Sequence, residues 1–102
     1  MVKSVKLGES VFVPRLAQLE RVEPLSPKEK LFRFSFQDDY RLEHNPGQFV
    51  QVSLAGIGEA PISIASSATR GDWFELGFRV TGNVTQAMFA LKPGDVIGIR
   101  GP

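Results

Sequence analysis

The stretch WFELGFRVTGNVTQAMFALKPGDVIGIR, residues 73–100, changes its hydrophobic period twice. Phe74, Leu76, Phe78 and Val80 alternate with Glu75, Gly77 and Arg79, the two-residue period of a strand with one buried face. Val84, Ala87, Met88 and Leu91 then recur at i, i+3, i+4 and i+7, one face of a helix over 83–92. Asn83 is the expected N-cap, with Gln86 three residues on completing a capping box. Lys92 suits the negative end of the helix dipole, and Pro93-Gly94 stops the helix. DVIGIR (95–100) reads as a strand again.

Working outward, the rest of the chain is strand-like and cut by turns. KLFRFSFQ (30–37) places Phe32, Phe34 and Phe36 on one face, opposite Leu31, Arg33 and Ser35. NPGQ (45–48) carries proline second and glycine third, the chemistry of a type II turn. QFVQVSL (48–54) aligns Val50, Val52 and Leu54, and AGIGEA is a loop with two glycines. GEAPISIASS (58–67) sends Ile62 and Ile64 one way and Ser63, Ala65 and Ser67 the other, leaving one face almost without bulk. TRGD (69–72) is a turn. RLAQLERVE (15–23) is ambiguous, because Leu16, Leu19 and Val22 recur every three residues; its context makes it a strand ending at Pro24 and Pro27. Residues 1–14 are weakly patterned and are expected to form an arm before a domain spanning 15–102. Six short strands with frequent turns and one helix predict an all-β fold, a closed antiparallel barrel. The chain stops directly after its last strand, and we expect a further domain beyond it.

A chain of 102 residues suits one domain with one core. Its formal net charge of +1 gives no electrostatic argument for nucleic acid or an anionic membrane. It has no cysteine, which excludes disulfides and thiolate-held zinc or iron–sulfur clusters within this chain. The N-terminus lacks the apolar run of a signal peptide or membrane span, so a cytoplasmic protein is expected.

Three features are candidates for chemistry. At the helix start, Gly82 allows close approach, and the N–H groups of Val84 and Thr85, with the Thr85 hydroxyl, suit a phosphate. Every capped helix offers the same start, so this motif alone does not separate an anion site from a barrel corner. The small face at Ser63 and Ala65 leaves room for a flat ring, with one hydroxyl for a ring nitrogen; a solvent-facing edge strand, which Pro61 favours, explains it equally well. Arg79 lies beside Gly77 and suits a phosphate, or pairs with Glu75 as a surface salt bridge. His44 is the lone histidine, so a metal site is not expected. Asp38-Asp39 reads as turn chemistry, and Ser66 and Ser67 have no nearby histidine as a base.

Taken in order, PGQFVQVSL, APISIASS, LGFRVTGNVT and LKPGDVIGIRGP resemble the FAD-binding barrel of the ferredoxin reductase-like family. Within it they are most similar to the electron-transfer subunits of dihydroorotate dehydrogenase and the gamma subunits of hydrogenases and sulfite reductases. The resemblance covers residues 15–102. It implies a six-stranded Greek-key barrel that holds FAD. It implies that Ala60, Pro61, Ile62 and Ser63 cross the flavin, with Ser63 near N5 and Ile62 beside the ring. It further implies cofactor contacts at Gly77, Phe78 and Arg79, and pyrophosphate binding at Gly82, Val84 and Thr85. NAD(P)H and a 2Fe–2S cluster are implied only for a C-terminal part, and other redox subunits are implied as partners. The family's arginine is Ala60 here, which removes a charge-assisted bond of about 1.5–3 kcal/mol. Arg79 and the helix start then carry more of the phosphate. Two rivals remain at this stage. A non-catalytic assembly module with a vestigial flavin site is favoured by Ala60. A nucleic-acid-binding barrel is disfavoured by the near-neutral charge.

Overall fold

Strict alternation builds the core. In the computed structural model, residues 14–38, 40, 42, 44, 45, 47–66 and 72–102 are described. They form β1 (Arg15–Ser26), β2 (Glu29–Phe36), β3 (Phe49–Leu54), β4 (Gly58–Ser63), β5 (Phe74–Arg79), α1 (Asn83–Phe89) and β6 (Val96–Arg100). The expected arm up to Val13, Asp39, Pro46, Ser67 and most of the TRGD turn lie outside the described residues. One antiparallel sheet runs in the order β4-β3-β6-β1-β2-β5. Its two edge strands meet where Ile64 bridges Leu76 and the Ala65 N–H donates to the Glu75 carbonyl at 2.7 Å. The barrel thus has a seam of one bridge rather than a full ladder. Inside it lie Phe32, Phe34, Phe74, Leu76, Val50, Val52, Ile62, Ile64, Ile97 and Ile99, the residues that the two-residue period selects.

The ambiguous first strand shows why a period of three appears in a β-protein. Ala17 and Leu19 face the core, while Leu16 is 54% exposed. Leu19 pairs with Phe34 and Arg21 with Arg33, so one extra residue is inserted between them. This bulge brings Val22 back to the inner side opposite Phe32. The strand also does not stop at Pro24. Pro24 pairs with Lys30 beside a second register shift, an irregular position where a missing N–H is tolerated, and β1 continues to Ser26. The type II reading of 45–48 is met on its described part: Gly47 has φ 87° and the Gln48 N–H donates to the Asn45 carbonyl at 3.2 Å.

The helix forms where its period predicts, but its ends differ. Gly82, not Asn83, is the N-cap, with an extended φ of −169°. Thr85, not Gln86, is the side chain that reaches back. Its Oγ1 accepts from the N–H groups of Thr81 at 2.8 Å and Gly82 at 2.9 Å, and donates to the Gly82 carbonyl at 3.2 Å. A γ-hydroxyl on a side chain 6% exposed is well placed for this; the solvent-facing Gln86 is not. The helix ends at Phe89, before Lys92. The cation at its C-terminus comes from another strand: Lys30 Nζ donates to the Phe89 carbonyl at 2.7 Å and lies 4.0 Å from the Phe89 ring centre. Pro93-Gly94 instead make the turn into β6, with Gly94 at φ 102°.

Two substitutions test these caps. Lys30→Met is expected to cost about 1 kcal/mol in urea unfolding, and Lys92→Met less than about 0.5 kcal/mol; equal losses would return the capping role to Lys92. Thr85→Val strands two N–H groups and is expected to cost about 1–3 kcal/mol, most of it recovered by Thr85→Ser. A neutral Thr85→Val would show that water serves these donors equally well.

Candidate functional site

The outer surface at the seam is low and nearly flat. On β4 and the two residues after it, Ile62 and Ile64 are 5% and 8% exposed and point inward, while Pro61, Ser63 and Ala65 are exposed. Gly77 on β5 continues the strip: a Cβ there would come 3.7 Å from Leu31 Cδ1 and 4.0 Å from Ala65 Cβ. Ser63, Ala65 and Gly77 therefore form one floor across the two edge strands. Among the described residues the Ser63 hydroxyl makes no hydrogen bond, and no bulky side chain rises from the floor at Ser63, Ala65 or Gly77.

The helix start adjoins the other end of β4. A Cβ on Gly58 would lie 3.6 Å from Val84 Cγ2, and the half-buried Ala60 and Val84 both pack against the core edge. Ala60 and the first turn of α1 are thus brought together, separated along β4 from Ser63 by three residues, about 10 Å. By helix geometry the N–H groups of Asn83, Val84 and Thr85 have no intrahelical acceptor, and the space above Gly82 is open. The Thr85 hydroxyl, in contrast with the expectation that it faces a ligand, is spent inside the loop and shapes it.

The remaining expected residues are distributed by the strand period. Ile62 and Phe78 lie inside the barrel, Phe78 edge-on to Phe32 at 4.9 Å between ring centres. What they offer a ligand is the placement of their neighbours Ser63, Gly77 and Arg79. Arg79 is 64% exposed on its side chain and pairs with Glu29 at 3.8 Å, not with Glu75. Glu75 is taken by Arg33, whose Nε and Nη2 donate at 3.3 and 3.2 Å while its guanidinium lies 3.8 Å over the Trp73 ring. The Arg79 pair is long and exposed, so Arg79 can exchange partners at little cost.

Three further features were not anticipated. Glu59 and Arg100 form a two-pronged ion pair on the outer face, from β4 and β6. The hydrogen bond from Arg100, ahead of opposing desolvation, holds the Glu59 carboxyl below the usual carboxylate range. Two residues 41 positions apart carry no sequence signal of pairing. His44 Nε2 lies 3.0 Å from the Ser66 carbonyl, and its buried Nδ1 has no hydrogen-bond partner among the described residues; Ser66 Oγ in turn accepts from the Glu75 N–H at 3.0 Å. The histidine thus ties the loop before β3 to the seam. Among the described residues no group of three potential metal ligands occurs, and no helix is long and apolar enough to cross a membrane. Phe49, directly paired with Ser63, is the third feature. Its exposure follows from the alternation that buries Val50 and Val52; its place beside Ser63 does not.

The sequence matches the family described as the oxidoreductase FAD-binding domain over residues 16–102. The gamma subunit of sulfhydrogenase 1 from Pyrococcus furiosus is 48% identical over 85 residues, covering 80% of this chain and 29% of that protein. A probable dihydroorotate dehydrogenase B electron transfer subunit from Methanocella arvoryzae is 34% identical over 89 residues, covering 87% and 31%. The chain thus spans only 29% and 31% of the lengths of these two relatives. The cytochrome b5 reductase domain of Ulva prolifera nitrate reductase shares the fold, with a TM-score of 0.74 at 20% identity over 87% of this chain and 39% of that one. A ferredoxin reductase of carbazole 1,9a-dioxygenase does so with a TM-score of 0.75 at 21% identity, over 86% and 28%. With a barrel of this topology, a low strip at its seam and a family match over nearly its whole length, this chain belongs to the oxidoreductase FAD-binding domain family, whose cofactor is FAD.

Proposed function

We propose that this chain is the flavin domain of an electron-transfer subunit in a multi-subunit cytoplasmic redox enzyme. The observation that carries the reading is the open floor of Ser63, Ala65 and Gly77, continuous along β4 with the start of α1, in a member of an FAD-binding family. Bound FAD supplies the exchange between two-electron and one-electron transfer. The chain's own residues bind and orient it. Ser63 would offer its hydroxyl to the ring, tuning N5. The backbone N–H groups at Val84 and Thr85 would hold the pyrophosphate, and Arg79 would be the cation that exchanges Glu29 for it. Gly82 keeps that approach open, while Ala60, Pro61, Ile62 and Phe78 set the height and path of the backbone beneath the cofactor.

One relative is a probable dihydroorotate dehydrogenase B (NAD(+)) electron transfer subunit, which supports a nicotinamide as hydride source; an iron–sulfur or partner-subunit acceptor completes the proposal. The chain spans about a third of the length of these relatives, and by itself it is expected to bind flavin without efficient turnover of NAD(P)H. The relatives' electron transfer and gamma subunits support an assembly with other subunits.

Titration with FAD is the direct test. A site of micromolar affinity gains about 2.7 kcal/mol at ~100 μM FAD, read as a raised melting temperature with quenched flavin fluorescence. No response at that concentration would replace this reading with an assembly module, the alternative that Ala60 favours. Ala60 is the second handle. Ala60→Arg restores a cation beside the helix start and is expected to tighten FAD roughly tenfold. Unchanged or weaker binding would mean that the phosphate does not lie near position 60.

A further inference from the structure

We propose that Phe49 is an aromatic contact for the flavin ring, a positioning residue held at the β3 side of the site by its pairing with Ser63. The inference rests on the flavin-site reading above and adds a residue to it. Phe49 and Ser63 are direct cross-strand partners, so their side chains rise from the same outer face within about 5 Å of each other. Phe49 is 56% exposed. Five large apolar side chains are exposed among the described residues, namely Leu16, Leu25, Phe49, Ile57 and Val96, and Phe49 is the one aromatic.

The other aromatic rings among the described residues have partners. Phe32, Phe34, Phe36, Phe74, Phe78 and Phe89 are in ring contacts within the fold, Tyr40 meets Phe36, and Trp73 lies under Arg33. Among the described residues no ring or cation is stacked on Phe49. A planar ring at Ser63 finds no aromatic side chain on β4, whose outward residues are Glu59, Pro61 and Ser63, none at Ala65 just beyond it, and none at Gly77 on β5. The aromatic surface must come from a neighbouring strand, and Phe49 is the ring that the register sets there. From β3 across β4 and β5 to Leu31 on β2 are three interstrand steps of about 4.8 Å each. That is room for a fused tricyclic ring with Phe49 at one margin and Leu31 at the other.

The test compares FAD binding by the wild-type chain with Phe49→Ser and Phe49→Tyr, using flavin fluorescence and the visible absorption band of the bound ring. Phe49→Ser is expected to weaken FAD roughly three- to tenfold and to return the band toward that of free FAD. Phe49→Tyr is expected to bind like the wild type. Because the side chain is solvent-exposed, melting temperatures without FAD are expected to stay close, and they serve as the folding control. Wild-type affinity and an unshifted difference in the band for Phe49→Ser would overturn the inference while leaving the flavin site in place. Equal losses for Phe49→Ser and Phe49→Tyr would also overturn it. A wild-type chain that fails to bind FAD would remove the flavin-site reading and this inference together.

Discussion

The register between β2 and β5 decides what the rest of the barrel can present. Phe34 pairs with Phe74 and their rings stack at 5.7 Å, while Phe32 meets Phe78 edge-on at 4.9 Å. Aromatic pairs in these arrangements add about 0.5–1.5 kcal/mol each beyond the area they bury. Because side chains alternate, a slip of one residue would drive these rings into water and turn Glu75, Gly77 and Arg79 inward. The hydrophobic core thus sets the outer face: Gly77 lies low beside Ala65 because Phe78 and Leu76 are held inside.

The same logic crosses the seam. Among the described residues the chain at β4 is joined to β5 only just past the strand, at Ile64 and Ala65, and Pro61 sits on this edge strand where a missing N–H costs little. A tight ladder here would need regular residues along the whole of β4. A short bridge leaves Ser63 free of any neighbouring bulk on that side and lets the helix start approach Gly58 and Ala60. The open seam is therefore the weak point of the sheet, and on the proposed reading it is where the flavin would lie.

The electrostatics of the site are spread rather than concentrated. Position 60 contributes no charge, Arg79 is only loosely engaged with Glu29, and the two-turn helix has a small dipole. Arg33 and Arg100, by contrast, are committed to Glu75 and Glu59. Of these arginines, Arg79 is the one whose ion pair is longest and whose side chain is most exposed, so it is the least costly to redirect toward a phosphate.

The faces of most strands were legible because the period of two is a local property. Phe32, Phe34, Val50, Val52, Ile62, Ile64, Phe74, Leu76 and Phe78 are buried as their alternation requires. The helix was legible for the same reason, through its spacing of three and four. The period of three left β1 ambiguous in the sequence, because a bulge is defined by the partner strand and leaves no mark of its own. The helix caps were misassigned to neighbours in sequence: Thr85 rather than Gln86 turns back to Gly82, and Lys30, distant in sequence, rather than Lys92 meets the last carbonyl. By itself, then, the chain's order of residues determined which positions face the core, where the one helix lies and which family motifs are present. The tertiary structure alone decided which strands are neighbours. Phe49 stands beside Ser63, Glu29 beside Arg79 and Lys30 beneath the helix end because strand pairing joins segments whose separation no local period records.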